Sequence, residues 1–194
     1  MSVVASPQSY TRAVPVPARV VAAALRERLP GVGVKKLHKL LYYCQGHHLA
    51  TFGQPLFDET VSAWDMGPVV GSLWYEEKLA GLRHETVSPG LGEAELNTLG
   101  YVLSRYGRLS GRDLEVLSHA EDPWQRANQH RRPGESTRIE PEWMQAFFAT
   151  GQDDDDLALD SEAVSAWLSR TVEQPAQEPV PDDPGRLRAR LHRG

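Results

Sequence analysis

Cysteine is nearly absent from this chain. Cys44 stands alone among 194 residues, so no internal disulfide can form, and a reducing cytoplasm is the expected compartment. Long apolar runs are missing too. The longest near the N-terminus, Val20 to Leu25, is far too short to span a bilayer, and MSVVASPQSYTRAV has no basic segment ahead of an apolar core, so neither a membrane span nor a secretory signal is expected. An excess of positive charge is also lacking. A net charge of −5 argues against a whole-surface nucleic-acid role, which normally shows a basic stripe. There is no G-x-S-x-G and no phosphate-cradling loop: Gly31 to Lys35 is too short for one and follows a helix pattern rather than a strand. With 40% hydrophobic and 24% charged residues, what remains is enough for one domain with its own core.

The stretch Val34 to Trp74 organises that domain. Leu40, Leu41, Cys44, His48 and Phe52 fall within about 60° of Leu37 on a helical wheel, the spacing of a core-facing stripe. The opposite side mixes Lys35 and Lys39 with Tyr42, Tyr43, Gly46, Leu49 and Ala50. A helix this apolar all round is either central to its domain or covered by a partner. It is expected to run from Val34 to about Thr51, with Gly53 as its stop.

Around it, Val21, Leu25 and Leu29 set out a helix after Pro17, closed by Pro30-Gly31. Val61, Ala63 and Trp64 suggest a short strand, and Gly67-Pro68 is expected to open a further helix with Val69, Val70, Leu73 and Trp74 buried. After a turn-rich break at Ser88 to Gly92, Leu96, Leu99, Val102, Leu103 and Tyr106 form the next stripe, from Glu93 to Tyr106. Ser110 with Asp113 reads as a capping box, and Asp122-Pro123-Trp124 as a cap followed by a helix start. Ile139 fits a short strand, and Trp143, Phe147 and Phe148 a helix from Pro141 to Ala149. Ala163, Val164, Trp167 and Leu168 fit a peripheral helix. The expected fold is mainly α, a compact single-domain helical bundle with at most a small two- or three-stranded β patch. Its expected limits are residues 16–150, after a flexible lead-in at 1–15; an acidic stretch and peripheral helix follow at 151–173, and a disordered Pro-rich and Arg-rich tail at 174–194.

Candidate chemistry is thin. His38, His47 and His48 do not share a helix face; Cys44 and His48 do, but two ligands are fewer than zinc normally takes. A buried thiol beside a hydrogen-bonded core histidine is the expected account, with a metal-dependent or cysteine hydrolase using Cys44, His47 and His48 as the rival. No cofactor is expected. Trp64, Met66 and Trp74 gather at the Gly67-Pro68 corner, a composition shared by interfaces and cores.

KKLHKLLYYCQGHHLATFGQPLFDETVSAWDMGPVVGSLWYE resembles the signature of the Panacea domain, found in SocA-like antitoxins and phage-associated GepA-like proteins. The family's helix is matched by Lys36, Leu37, Lys39, Leu40, Leu41, Tyr42, Tyr43, Gln45 and Gly46, and its corner by Trp64, Gly67, Pro68 and Val69. Its later helix start is matched by His119, Pro123 and Trp124 in SHAEDPWQRA. The resemblance implies a non-enzymatic antitoxin that neutralises a cognate protein toxin, encoded next to it, by direct binding. It also implies an alternative, an adaptor delivering the toxin to an ATP-dependent protease. The partner-facing surface is expected to include Lys39, Tyr42, Tyr43, His47, Trp64 and Trp74. Leu37, Leu40, Leu41, Gly46, Gly67, Pro68, His119, Pro123 and Trp124 are expected to be structural.

Overall fold

In a computed structural model of the chain, the structure describes residues 14–80 and 90–150. Most of the lead-in, the first two residues of the Ser88 to Gly92 break, the acidic stretch with its peripheral helix and the tail lie outside the described residues. Within them the order is α1 (Ala18–Arg28), α2 (Val34–Phe52), β1 (Val61–Trp64), β2 (Gly67–Val70), α3 (Gly71–Ala80), α4 (Glu93–Tyr106), α5 (Gly111–Ala120), α6 (Asp122–Asn128), β3 (Thr137–Arg138) and α7 (Pro141–Thr150). The fold is mainly α with one small antiparallel sheet, ordered β2-β1-β3.

The ambiguity of the long helix resolves in favour of the centre. Every residue of α2 from Leu37 to Leu49 is buried, under α7, α4, β2, α5 and α1. Gly53 ends it in the left-handed region at φ 69°, where an L side chain would be strained, and its N–H returns to the Leu49 carbonyl. Gly46 is where α7 comes closest: a Cβ built there would lie 2.2 Å from two ring carbons of Phe148. Only a residue without a side chain lets that aromatic ring sit on the helix backbone.

The remaining elements follow from local chemistry. Ser110 Oγ accepts the Asp113 N–H while the Asp113 carboxylate accepts that of Ser110, so α5 starts with the reciprocal cap its sequence announces. α1 lacks a side-chain cap of its own, and its first N–H, on Ala18, donates instead to Glu59 Oε1 at 2.9 Å. α6 begins one residue earlier than the Asp-Pro reading implies, with Glu121 as N-cap.

Two expectations need correction. Gly67-Pro68 does not open a helix. It begins β2, which pairs with β1 from Trp64↔Gly67 to Val61↔Val70, and α3 starts only at Gly71. Gly67 sits at φ 92°, outside the region a helix start requires, and turns the chain back on itself. Pro68 is tolerated because β2 is an outer strand. In α4 the buried face is Glu95, Thr98, Leu99, Val102 and Tyr106, whereas Leu96 is 42% exposed. Thr98 is turned inward by His48, whose Nδ1 lies 2.8 Å from its hydroxyl, and Tyr106 by a stacked contact with Tyr43 at 4.0 Å. Polar partners and stacking, not apolar spacing alone, set the rotation of α4.

Candidate interaction surface

Several polar residues of α2 serve the backbone of its neighbours. β2 turns one edge toward β1, and groups on its other edge meet α2. There Lys39 Nζ donates to the Pro68 carbonyl at 3.1 Å, and the Val70 N–H donates to His38 Nδ1 at 3.3 Å. These are strand groups that would otherwise be buried without a partner. Gln45 does the same for the chain before β1: its Oε1 accepts the N–H groups of Leu56 and Phe57, and its Nε2 donates to the Phe57 carbonyl. His47 Nε2 lies 3.0 Å from the Tyr106 hydroxyl, and Tyr43 donates to Glu121 Oε1 at 2.9 Å. Gly67 completes the fit, since a Cβ there would fall 2.7 Å from Lys39 Cε.

Electrostatics match this burial. Loss of solvent lowers Lys39 to about 8, with Lys35 adding and Glu115 opposing. Burial, reinforced by Lys39 and Arg26, lowers His38 to about 4; burial, reinforced by Arg105, lowers His47 to about 3. The phenols of Tyr42 and Tyr43 are pushed well above their ordinary value by burial and then by the Glu121 carboxylate.

The six residues expected to face a partner therefore divide. Lys39, Tyr42, Tyr43 and His47 are 1%, 0%, 0% and 5% exposed, so they belong to the core and no partner reaches them without opening the domain. This corrects the expectation that they form a surface. Trp64 and Trp74 are half-buried, and their rings meet edge to face at 5.3 Å. Tyr75 stands 5.1 Å from Trp74 and is 56% exposed; Met66 at the hairpin tip is 50% exposed and Leu79 on α3 87%. Lys78 Nζ lies 4.8 Å above the Trp74 ring, and Trp64 Nε1 donates to Ser136 Oγ. Tyr75 and Leu79 are not among the residues expected to face a partner, although at about 100° per residue they lie about 160° and 120° from the buried Leu73.

Leu37, Leu40 and Leu41 are fully buried, Gly67, Pro68 and Pro123 are buried, and the His119 ring stacks on Trp124 at 4.0 Å. Cys44 is fully buried, with its thiol pushed up by burial, and His48 holds Thr98. Nucleophilic cysteines need access and a lowered pKa, so the geometry opposes the Cys44 hydrolase. Among the described residues no three His, Cys, Asp or Glu side chains are grouped to hold a metal ion, and no helix is long and apolar enough to cross a membrane. An uncharged cleft of about 360 Å³ lies between α2 and α4, lined by His47, Thr51, Phe52, Asn97, Thr98 and Tyr101.

A core helix that spends its polar side chains on its neighbours, with an aromatic face outside, defines a small helical module. The family described as antitoxin SocA-like, Panacea domain, matches residues 37–125. Antitoxin SocA of Caulobacter vibrioides (strain NA1000 / CB15N) is 30% identical over an alignment of 130 positions, covering 56% of this chain and 69% of that protein. The chain belongs to the SocA-like Panacea-domain family. No solved structure matches it.

Proposed function

We propose that this protein is the antitoxin of a toxin–antitoxin pair, acting in the cytoplasm and neutralising a cognate protein toxin by direct binding. The observation that carries this reading is the cluster of half-buried Trp64 and Trp74 with exposed Met66 and Tyr75, displayed by a hairpin and helix backed by the core. Trp and Tyr lead among residues that dominate binding energy, because they bury much area with few rotors to freeze. Its relative's name, antitoxin, supports the role, and the toxin would supply a complementary apolar surface.

The test is co-expression with the product of the adjoining open reading frame, followed by growth and co-purification. Rescue of a growth arrest together with a stoichiometric complex supports the reading. Trp74→Ala should then lower affinity by roughly 30-fold or more, the weight of a central aromatic anchor. Rescue accompanied by disappearance of the toxin would replace blocking with delivery to an ATP-dependent protease. A harmless neighbour that never co-purifies would sink the antitoxin reading.

A further inference from the structure

The hairpin tip that presents Trp64 and Met66 is held from behind by a segment far along the chain. Two-stranded hairpins are marginal by themselves, and the turn residues Asp65 and Met66 are both exposed. The loop after α6 grips that turn at three points. Arg131 Nη2 pairs with Asp65 Oδ1 at 2.6 Å, the Gly134 N–H donates to Asp65 Oδ2 at 2.9 Å, and Ser136 Oγ accepts from Trp64 Nε1 at 2.9 Å.

Arg131 is the hub of this grip. Besides Asp65, its Nε donates to Asn128 Oδ1 at 2.9 Å, and its Nη1 to the carbonyls of Arg132 and Glu135 at 3.2 and 2.9 Å. The side chain is 5% exposed, whereas its Asp65 partner is 51% exposed. A guanidinium that far out of water is stable only because its donors are shared over several acceptors in a fixed fork. The same guanidinium, then the Gly134 N–H, holds the Asp65 carboxyl below its ordinary range. Such an arrangement shapes one loop and pins one turn together.

We propose that Asp65 and Arg131 form a latch that sets the aromatic surface in its binding geometry, making both positioning residues for toxin recognition without supplying the apolar contacts. The inference rests on the docking role given above to Trp64 and Trp74. A tip fixed before contact loses less conformational freedom on binding, so affinity should depend on a pair outside the apolar contact.

Asp65→Ala tests this, because the site is half-exposed and the variant should fold. Its far-UV circular dichroism should match the wild type, while the near-UV signal of the paired Trp64 and Trp74 rings is lost. Affinity for the adjoining gene product should fall roughly tenfold, and Asp65→Glu should recover most of both signals. Arg131→Lys keeps a charge but not the fork, and should behave as Asp65→Ala does. An unchanged near-UV spectrum in Asp65→Ala overturns the latch whatever any partner does. Wild-type affinity in Asp65→Ala, where Trp74→Ala has lost binding, overturns it as well and leaves the docking surface standing. Wild-type binding by Trp74→Ala would instead remove the docking surface, and the near-UV spectrum would still decide whether the latch positions the rings.

Discussion

Two groups of aromatic and basic residues sit fewer than forty positions apart and meet opposite fates. Tyr42, Tyr43, Lys39 and His47 on α2 are sealed inside, whereas Trp74, Tyr75 and Lys78 on α3 reach solvent. Residue type does not separate them. What does is the number of elements that need them: α2 packs against five others and its polar atoms finish their backbone bonds, while α3 leans chiefly on β2. A buried polar side chain here supports the fold, and an exposed aromatic ring is available for something else.

The largest test of that contrast is Tyr42→Ala, which empties a fully buried ring site in contact with Tyr43 and Phe148. It should cost about 3–5 kcal/mol in urea unfolding. Loss of toxin neutralisation without loss of stability would return Tyr42 to the surface and break the comparison.

Acid should act on the same inner group. His38 and His47 have folded pKa values of about 4 and about 3, below the ordinary 6.5, so the unfolded chain binds protons first as pH falls. Their contribution is complete above pH 6.5 and is lost progressively as pH drops toward the folded values, on the order of 3 kcal/mol for His38. Lys39, lowered to about 8, adds a rise in stability between about pH 8 and 10.5. Urea midpoints measured from pH 4 to 9.5 should climb in both windows. A flat profile would mean these side chains are open to water.

Gly46→Ala should destabilise by about 1–3 kcal/mol despite alanine's better helix propensity, since Phe148 must move from a packed position. The smallest stability change belongs to the outer group. Trp74→Ala and Tyr75→Ala should each shift unfolding by under about 1.5 kcal/mol, well below Tyr42→Ala, in the same urea series.

Much of the fold was legible. The bounds of α4, the capping box of α5 and the glycine stop of α2 follow from local signals that tertiary contacts leave alone. Gly67-Pro68 was misread because proline fixes the same φ at a helix start and in an outer strand; only pairing with β1 distinguishes them. Thr98 could not be ranked above Leu96 for burial, since the histidine that draws it inward lies on another helix. At the candidate surface the tryptophans were visible, but their exposure was not, and Arg131 gave no signal at all. Its partner is 66 positions away in sequence and met only through the fold.

The contact between Gly46 and Phe148 also has a consequence in time. The ribosome makes α2 before α7, the cover for its glycine face and the last described element to emerge. At roughly 10 residues per second, the nascent chain carries that glycine face without its cover for about ten seconds. Through that interval the face waits for the chain's own unfinished end, and any chaperone that reaches it first would delay that closure.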